Sequence, residues 1–184
     1  IKEQQSLSTS DMLGRRALGF TAYGALERLP KAVICVAHGS AYGGGCEIVA
    51  ACDFTLASAE AKFCYPEVAW GAVGATQRLP RFAGTRMAKE LLFTTRVFNA
   101  DEAKEFGLVN HVYQPDALDA AVMEMALKIA AAQPRTVQLT KRCLDQGVET
   151  TREGAMAIEL LAIEENMRLT DWKDAIGDFG RKDK

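Results

Sequence analysis

The passage "KAVICVAHGSAYGGGCEIVAAC", residues 31–52, constrains the fold more than any other. A short β-branched and apolar run reads as a strand covered on both faces. Three glycines follow, and an apolar helix-forming run starts directly after them. Glycine loses more backbone entropy on ordering than any other residue, so three in succession predict a place that requires bare backbone. A strand that passes through glycines into a helix start leaves unpaired amides aimed at one point. Such amides bind negative charge, either a phosphate or a developing oxyanion.

The residues around the glycines favour the oxyanion. "AYGGGCE" matches neither dinucleotide nor P-loop spacing, and no Lys or Ser/Thr follows to hold a nucleotide. An acid, Glu47, stands where it would repel a phosphate. A second acid, Glu67 in "FCYPEVAWG", closes an otherwise apolar stretch after a strand. Two carboxylates beside one set of amides can move a proton and activate water next to a polarised carbonyl. The residues alone also permit a plainer reading: Gly43 to Gly45 as a tight turn, and two glutamates facing solvent.

Strand and helix patterns alternate as far as Tyr113. "DMLGRRALGFTAYGALERL" is helical, with Ser8, Thr9 and Ser10 as candidate caps and Leu18, Ala22, Ala25, Leu26 and Leu29 as its apolar stripe. "DFTLASAEAKFCYP" reads as strand, turn and strand, and "ATQRLPRFAGTRMAKELLFTT" as a helix punctuated by Pro80 and Gly84. In "NADEAKEFGLVNHVY", Asn99 is the expected N-cap, Glu102 its capping-box partner and Gly107 the helix stop before another strand. From Asp116 onward three helical stretches follow without a strand, and "TDWKDAIGDFGRKDK" is expected to form one more short helix. The domain reading is a core over 1–113 and a helical region over 114–184.

Composition removes several function classes. With 184 residues, 48% of them hydrophobic, and a net charge of −2, the chain offers no global pull toward nucleic acid. The five cysteines, Cys35, Cys46, Cys52, Cys64 and Cys143, sit in apolar runs without a CxxC pair, as expected in a reducing compartment. His38 and His111 are far apart, so no metal site is expected. No apolar run has the length of a membrane span, and no signal peptide opens the sequence.

"HGSAYGGGCEIVAACDFTLASAEAKFCYPEVAWG", with "TQRLPRFAG", "ADEAKEFGLVNHV" and "AIGDFGRK", resembles the crotonase (enoyl-CoA hydratase/isomerase) superfamily over nearly the whole chain. It is most similar to enoyl-CoA hydratases, including the methylglutaconyl-CoA hydratase branch. The resemblance implies an α/β fold, a spiral of ββα units with C-terminal helices that serve oligomerisation. It implies reversible addition of water to a trans-2-enoyl-CoA in fatty-acid or branched-chain amino-acid breakdown. By that resemblance the Gly44 amide donates one of two hydrogen bonds to the thioester oxygen. Glu47 helps activate the water, and Glu67 exchanges a proton with the substrate's α-carbon. Lys2, Phe179 and Lys182 would contact coenzyme A, the last two from a neighbouring subunit, while His38 is structural. No cofactor is implied beyond the coenzyme A of the substrate. The expected assembly is a homotrimer or homohexamer, in a bacterial cytoplasm or a mitochondrial matrix.

The chain departs from the family pattern twice. Relatives carry an N-terminal portion ending in an "xAGAD" motif, which supplies the second oxyanion amide; the sequence starts just after it and reads as a partial chain. "GAVGATQRL" also lacks a Pro-Gly-x stretch between Val73 and Gly74; because both flanks match the family without adjustment, a physical discontinuity of the chain is expected there rather than a true deletion. In relatives an amide of that stretch orients the water, so a true deletion would favour an enoyl-CoA isomerase of the same fold. A third reading, an RNA-binding relative, has only "RR" at 15–16 and "KR" at 141–142 in its favour.

Overall fold

The computed structural model describes residues 6–171, which leaves Lys2, Phe179, Lys182 and the expected short C-terminal helix outside the described residues. The described chain divides into two units. The first holds the described residues up to Leu29 together with Val33–Ala126; the second holds Pro30–Ala32 and the described residues from Leu127 onward.

The first unit is an α/β spiral. Helix α1 (Thr9–Glu27) is followed by β1 (Ile34–Ala37), β2 (Ser40–Tyr42), α2 (Gly44–Ala51), β3 (Phe54–Ser58) and β4 (Lys62–Cys64). Then come α3 (Leu79–Thr94), β5 (Phe98–Asn99), α4 (Ala100–Glu105), β6 (His111–Tyr113) and α5 (Pro115–Ala130), whose residues from Leu127 fall in the second unit. The strands sort into two sheets, ordered β1-β3-β6 and β2-β4-β5. Successive turns of chain therefore deliver one strand to each sheet. The β1–β3, β3–β6 and β2–β4 pairs are parallel, as strands joined through crossover helices must be, and β4–β5 is antiparallel.

Between the sheets and helices lies the core. Phe63 and Tyr65 are fully buried and both rings stack on Phe98, with centroids 5.6 and 6.3 Å apart, while Phe106 meets Phe98 edge-on at 5.3 Å. Truncating a ring packed in this way typically costs about 3–5 kcal/mol. Leu79, Leu91 and Ala103 complete the same apolar cluster. It fixes β4 firmly, and the segment leaving β4 carries Glu67.

Local signals account for most element ends. Ser8 caps α1 in a reciprocal box with Asp11, and Asn99 Oδ1 accepts from the Glu102 amide at 2.9 Å. Glu102 does not close the expected capping box, however. Its carboxylate pairs with Arg96, a full charge that outcompetes a backbone amide for it. Gly84, at φ 74, is a non-helical break inside α3 that divides it into two helical pieces. The apolar stripe expected to bury α1 is largely uncovered: Leu18 is 70% exposed, and Gly24 is the residue that the helix buries. Helical spacing defines a face but not what covers it.

In the second unit, α6 (Pro134–Gly147) and α7 (Arg152–Leu169) pack together. Proline opens α6 in its first turn, and Thr151 caps α7 by accepting from the Gly154 amide at 3.1 Å. Glu165 of α7 receives both Arg142 (2.8 Å) and Arg135 of α6, and Thr136 bonds Asn166 at 2.9 Å. Arg142 of the "KR" pair is thus engaged within the protein. No helix of the described residues is long and apolar enough to cross a membrane.

Candidate active site

Strand pairing is what brings the two glutamates together. In the parallel β2–β4 pair, Tyr42 lies opposite Cys64, so both strands end side by side. One residue on, the Gly43 amide donates to the Cys64 carbonyl at 2.9 Å, extending the ladder to the mouth of α2. From there β2 leads through the glycines to Glu47 in the first turn of α2, and β4 leads through Tyr65 and Pro66 to Glu67. Two carboxyls twenty residues apart in sequence are thereby brought within electrostatic reach of each other.

Gly43 is the hinge of that handover. It sits at φ 52 and ψ −112, in the left-handed half of backbone space, where a side chain costs about 1–2 kcal/mol. A Cβ there would also stand 3.0 Å from Glu67 Oε1. Gly43→Ala is therefore expected to lower the unfolding free energy by about 1–2 kcal/mol and to displace Glu67. Chemical denaturation and turnover, measured on the same sample, check both effects.

Glu47 and Glu67 are both buried, at 6% and 8% exposure. This excludes the plainer reading in which they face solvent. Each keeps one buried oxygen, Glu47 Oε1 and Glu67 Oε2, that meets no hydrogen-bond partner in the protein. Two orphaned carboxylate oxygens are costly to bury unless something polar visits them. The other oxygen of Glu47, Oε2, accepts from Arg78 Nη1 at 2.9 Å. Burial raises the Glu47 carboxyl above the usual carboxylate range, the Arg78 hydrogen bond and charge pull it back, and the Glu67 and Glu27 carboxylates push it up.

The surrounding groups are held neutral or fixed. Burial pushes the Cys46 thiol up to about 12, and it donates to the Ala41 carbonyl at 2.8 Å, so it acts as a packing clamp. Burial likewise raises the Tyr65 phenol. Gly44 opens α2, and the first helical amides have no intrahelical acceptor. Among the described residues no group of three His, Cys, Asp or Glu side chains is placed to hold a metal ion.

Arg78, Glu27 and Tyr23 are the residues that sequence reading did not single out. Arg78 Nε and Nη2 grip both oxygens of Glu27, at 2.6 and 3.0 Å, and its guanidinium lies 5.3 Å from the centroid of the Tyr23 ring. "TQRL" was the available signal for Arg78; nothing local marks Glu27.

At the Val73–Gly74 junction, Arg16 Nη1 donates to the Val73 carbonyl at 3.2 Å. Arg16, from the "RR" pair, is thereby tied to the protein's own backbone. Gly74 lies against Glu67: a Cβ there would stand 3.0 Å from its Cγ. The buried Ala75 beside it takes φ 56, an uncommon backbone for a residue with a side chain.

The family model for enoyl-CoA hydratase/isomerase matches residues 3–184. The chain belongs to that family. It is 40% identical to the crotonyl-CoA hydratase of Syntrophomonas wolfei over 187 residues, covering 100% of this chain and 72% of the relative. Identity to the short-chain-enoyl-CoA hydratase of Clostridium acetobutylicum is also 40%, with the same coverage. Among solved structures, an enoyl-CoA hydratase from Mycobacterium smegmatis superposes with a TM-score of 0.93 at 31% identity, covering 99% of this chain and 72% of that one. The chain shares the fold of that solved structure, the crotonase fold expected from the sequence, and it spans about 72% of the length of each of these relatives.

Proposed function

We propose that the protein is an enoyl-CoA hydratase, a hydro-lyase that adds water across the double bond of a 2-trans-enoyl-CoA to give a 3-hydroxyacyl-CoA. The observation that carries the mechanism is the pair of buried glutamates, each with one unpartnered oxygen, at the mouth of a glycine-started helix. Those oxygens are suited to share one water. As the water's oxygen bonds C3, Glu47 takes one of its protons; C2 receives a proton through Glu67, and the proton on Glu47 passes back to Glu67, so that one whole water is added and both carboxyls are restored. A base whose burial raises its proton affinity is better matched to neutral pH than an exposed glutamate. The Gly44 amide hydrogen-bonds the thioester oxygen and stabilises the enolate-like intermediate, with coenzyme A entering as part of the substrate.

The 40% identical relatives, whose names specify short-chain and crotonyl substrates, support a short acyl group. Crotonyl-CoA is therefore the substrate for the test. Loss of the conjugated thioester absorbance on adding the protein supports hydration; unchanged absorbance rejects it.

Apolar side chains also stand uncovered on the later helices: Met123 and Leu127 on α5, Leu160 and Ile163 on α7. Uncovered apolar faces favour association, so the protein is proposed to assemble as a homotrimer or a homohexamer. Light scattering is expected to give a mass of three or six chains, and a monomer would refute the assembly.

A further inference from the structure

We propose that Arg78 is a positioning residue for the reaction: anchored by Glu27, it holds one oxygen of Glu47 and leaves the other turned toward the water. The inference rests on the hydratase reading for its catalytic meaning, while its geometry stands independently.

Arg78 is a three-point anchor. Two of its nitrogens take the two oxygens of Glu27, a fork-to-fork geometry that fixes the guanidinium plane. Its third, Nη1, is thereby aimed at Glu47 Oε2, and only then is Oε1 of Glu47 the oxygen left unpartnered. The arginine side chain is 16% exposed and that of Glu47 8%, so the pair is shielded from water, whereas Glu27 is 41% exposed. Stability alone is a poor reason for such a cluster, because desolvating a buried ion pair commonly offsets its attraction. Orientation of a reactive carboxylate is a better one.

The titratable groups facing Glu47 come from several elements. Arg78 enters from the start of α3, Glu27 from α1, Glu67 and the Tyr65 phenol from the segment after β4, and the Cys46 thiol from its own helix. Of these, Arg78 is the group that favours the charged, proton-accepting form of Glu47, against burial and two carboxylates.

The experiment compares Arg78→Met and Arg78→Lys with the unsubstituted protein in three readouts: crotonyl-CoA kinetics across pH, thermal unfolding, and NMR titration of the Glu47 carboxyl carbon. Removing the cation should raise the proton affinity of Glu47, so the acid limb of kcat and the carboxyl titration should both move to higher pH. Turnover should fall about tenfold or more, the scale of a lost charge-assisted hydrogen bond, with KM little changed. Arg78→Lys keeps a charge but not the fork and should fall between the two; it also carries the test if Arg78→Met does not fold. Folded variants with unmoved titration and acid limb would overturn the proposal, and lost activity with an unmoved titration would reduce Arg78 to a structural role. If the unsubstituted protein hydrates nothing, the hydratase reading fails, and the carboxyl titration still decides whether Arg78 controls Glu47.

Discussion

Glu47→Gln and Glu67→Gln are each expected to cut the turnover of enoyl-CoA hydration by about 100-fold or more, the contribution of a positioned acid or base. Glutamine keeps the shape of the side chain but cannot take up a proton, so the loss should fall on kcat rather than on KM. Stability should respond in the opposite sense. Because burial raises the Glu47 carboxyl in the folded protein, its stabilising contribution is complete in acid and is lost as pH rises through the folded value. Above the usual carboxylate range the fold carries the cost of a buried charge, and Glu47→Gln removes that charge. The variant should therefore be at least as stable as the unsubstituted protein near neutral pH, and the advantage should vanish in acid. Thermal unfolding of both proteins across pH tests the sign. A variant that keeps near-normal turnover would show that its glutamate does not hold the assigned role.

Gly44→Pro is expected to abolish most activity with little change in fold. Gly44 is the first residue of α2, a position at which proline is well tolerated because the amide has no intrahelical partner. That same amide is the proposed donor to the thioester oxygen, and proline deletes it. Losing one such donor costs about 100-fold or more in rate. Gly44→Ala is the control, since it adds a Cβ but keeps the N–H. In both variants the Cβ would meet the Tyr23 hydroxyl at 3.1 Å, a contact that a half-buried ring can relax. The ratio of the two turnovers isolates the hydrogen bond. Equal turnovers would remove Gly44 from the mechanism.

How much of this was legible in the sequence depends on the range of each interaction. The strand–glycine–helix passage, the caps at Ser8 and Asn99, and the paired carboxylates are local patterns, and the residues themselves state them. β2 is three residues long and begins immediately after a glycine, too short for an alternating pattern to show, yet its pairing with β4 is what joins Glu47 to Glu67. Arg78 was hidden for a different reason. Its partners lie 51 and 31 residues away in sequence, so its place between Glu27 and Glu47 exists only once α1, α2 and the start of α3 have packed. The stripe on α1 misled in the converse way, because spacing signals a face whether or not anything covers it.

The central claim is that the paired glutamates add water to an enoyl thioester. Incubating the protein with crotonyl-CoA in water enriched in heavy oxygen, and weighing the product by mass spectrometry, tests it most directly. The account requires 3-hydroxybutyryl-CoA carrying one heavy oxygen, formed by the unsubstituted protein and not by Glu47→Gln. Recovery of crotonyl-CoA alone, or of a double-bond isomer without heavy oxygen, would contradict hydration and return the site to proton shuttling.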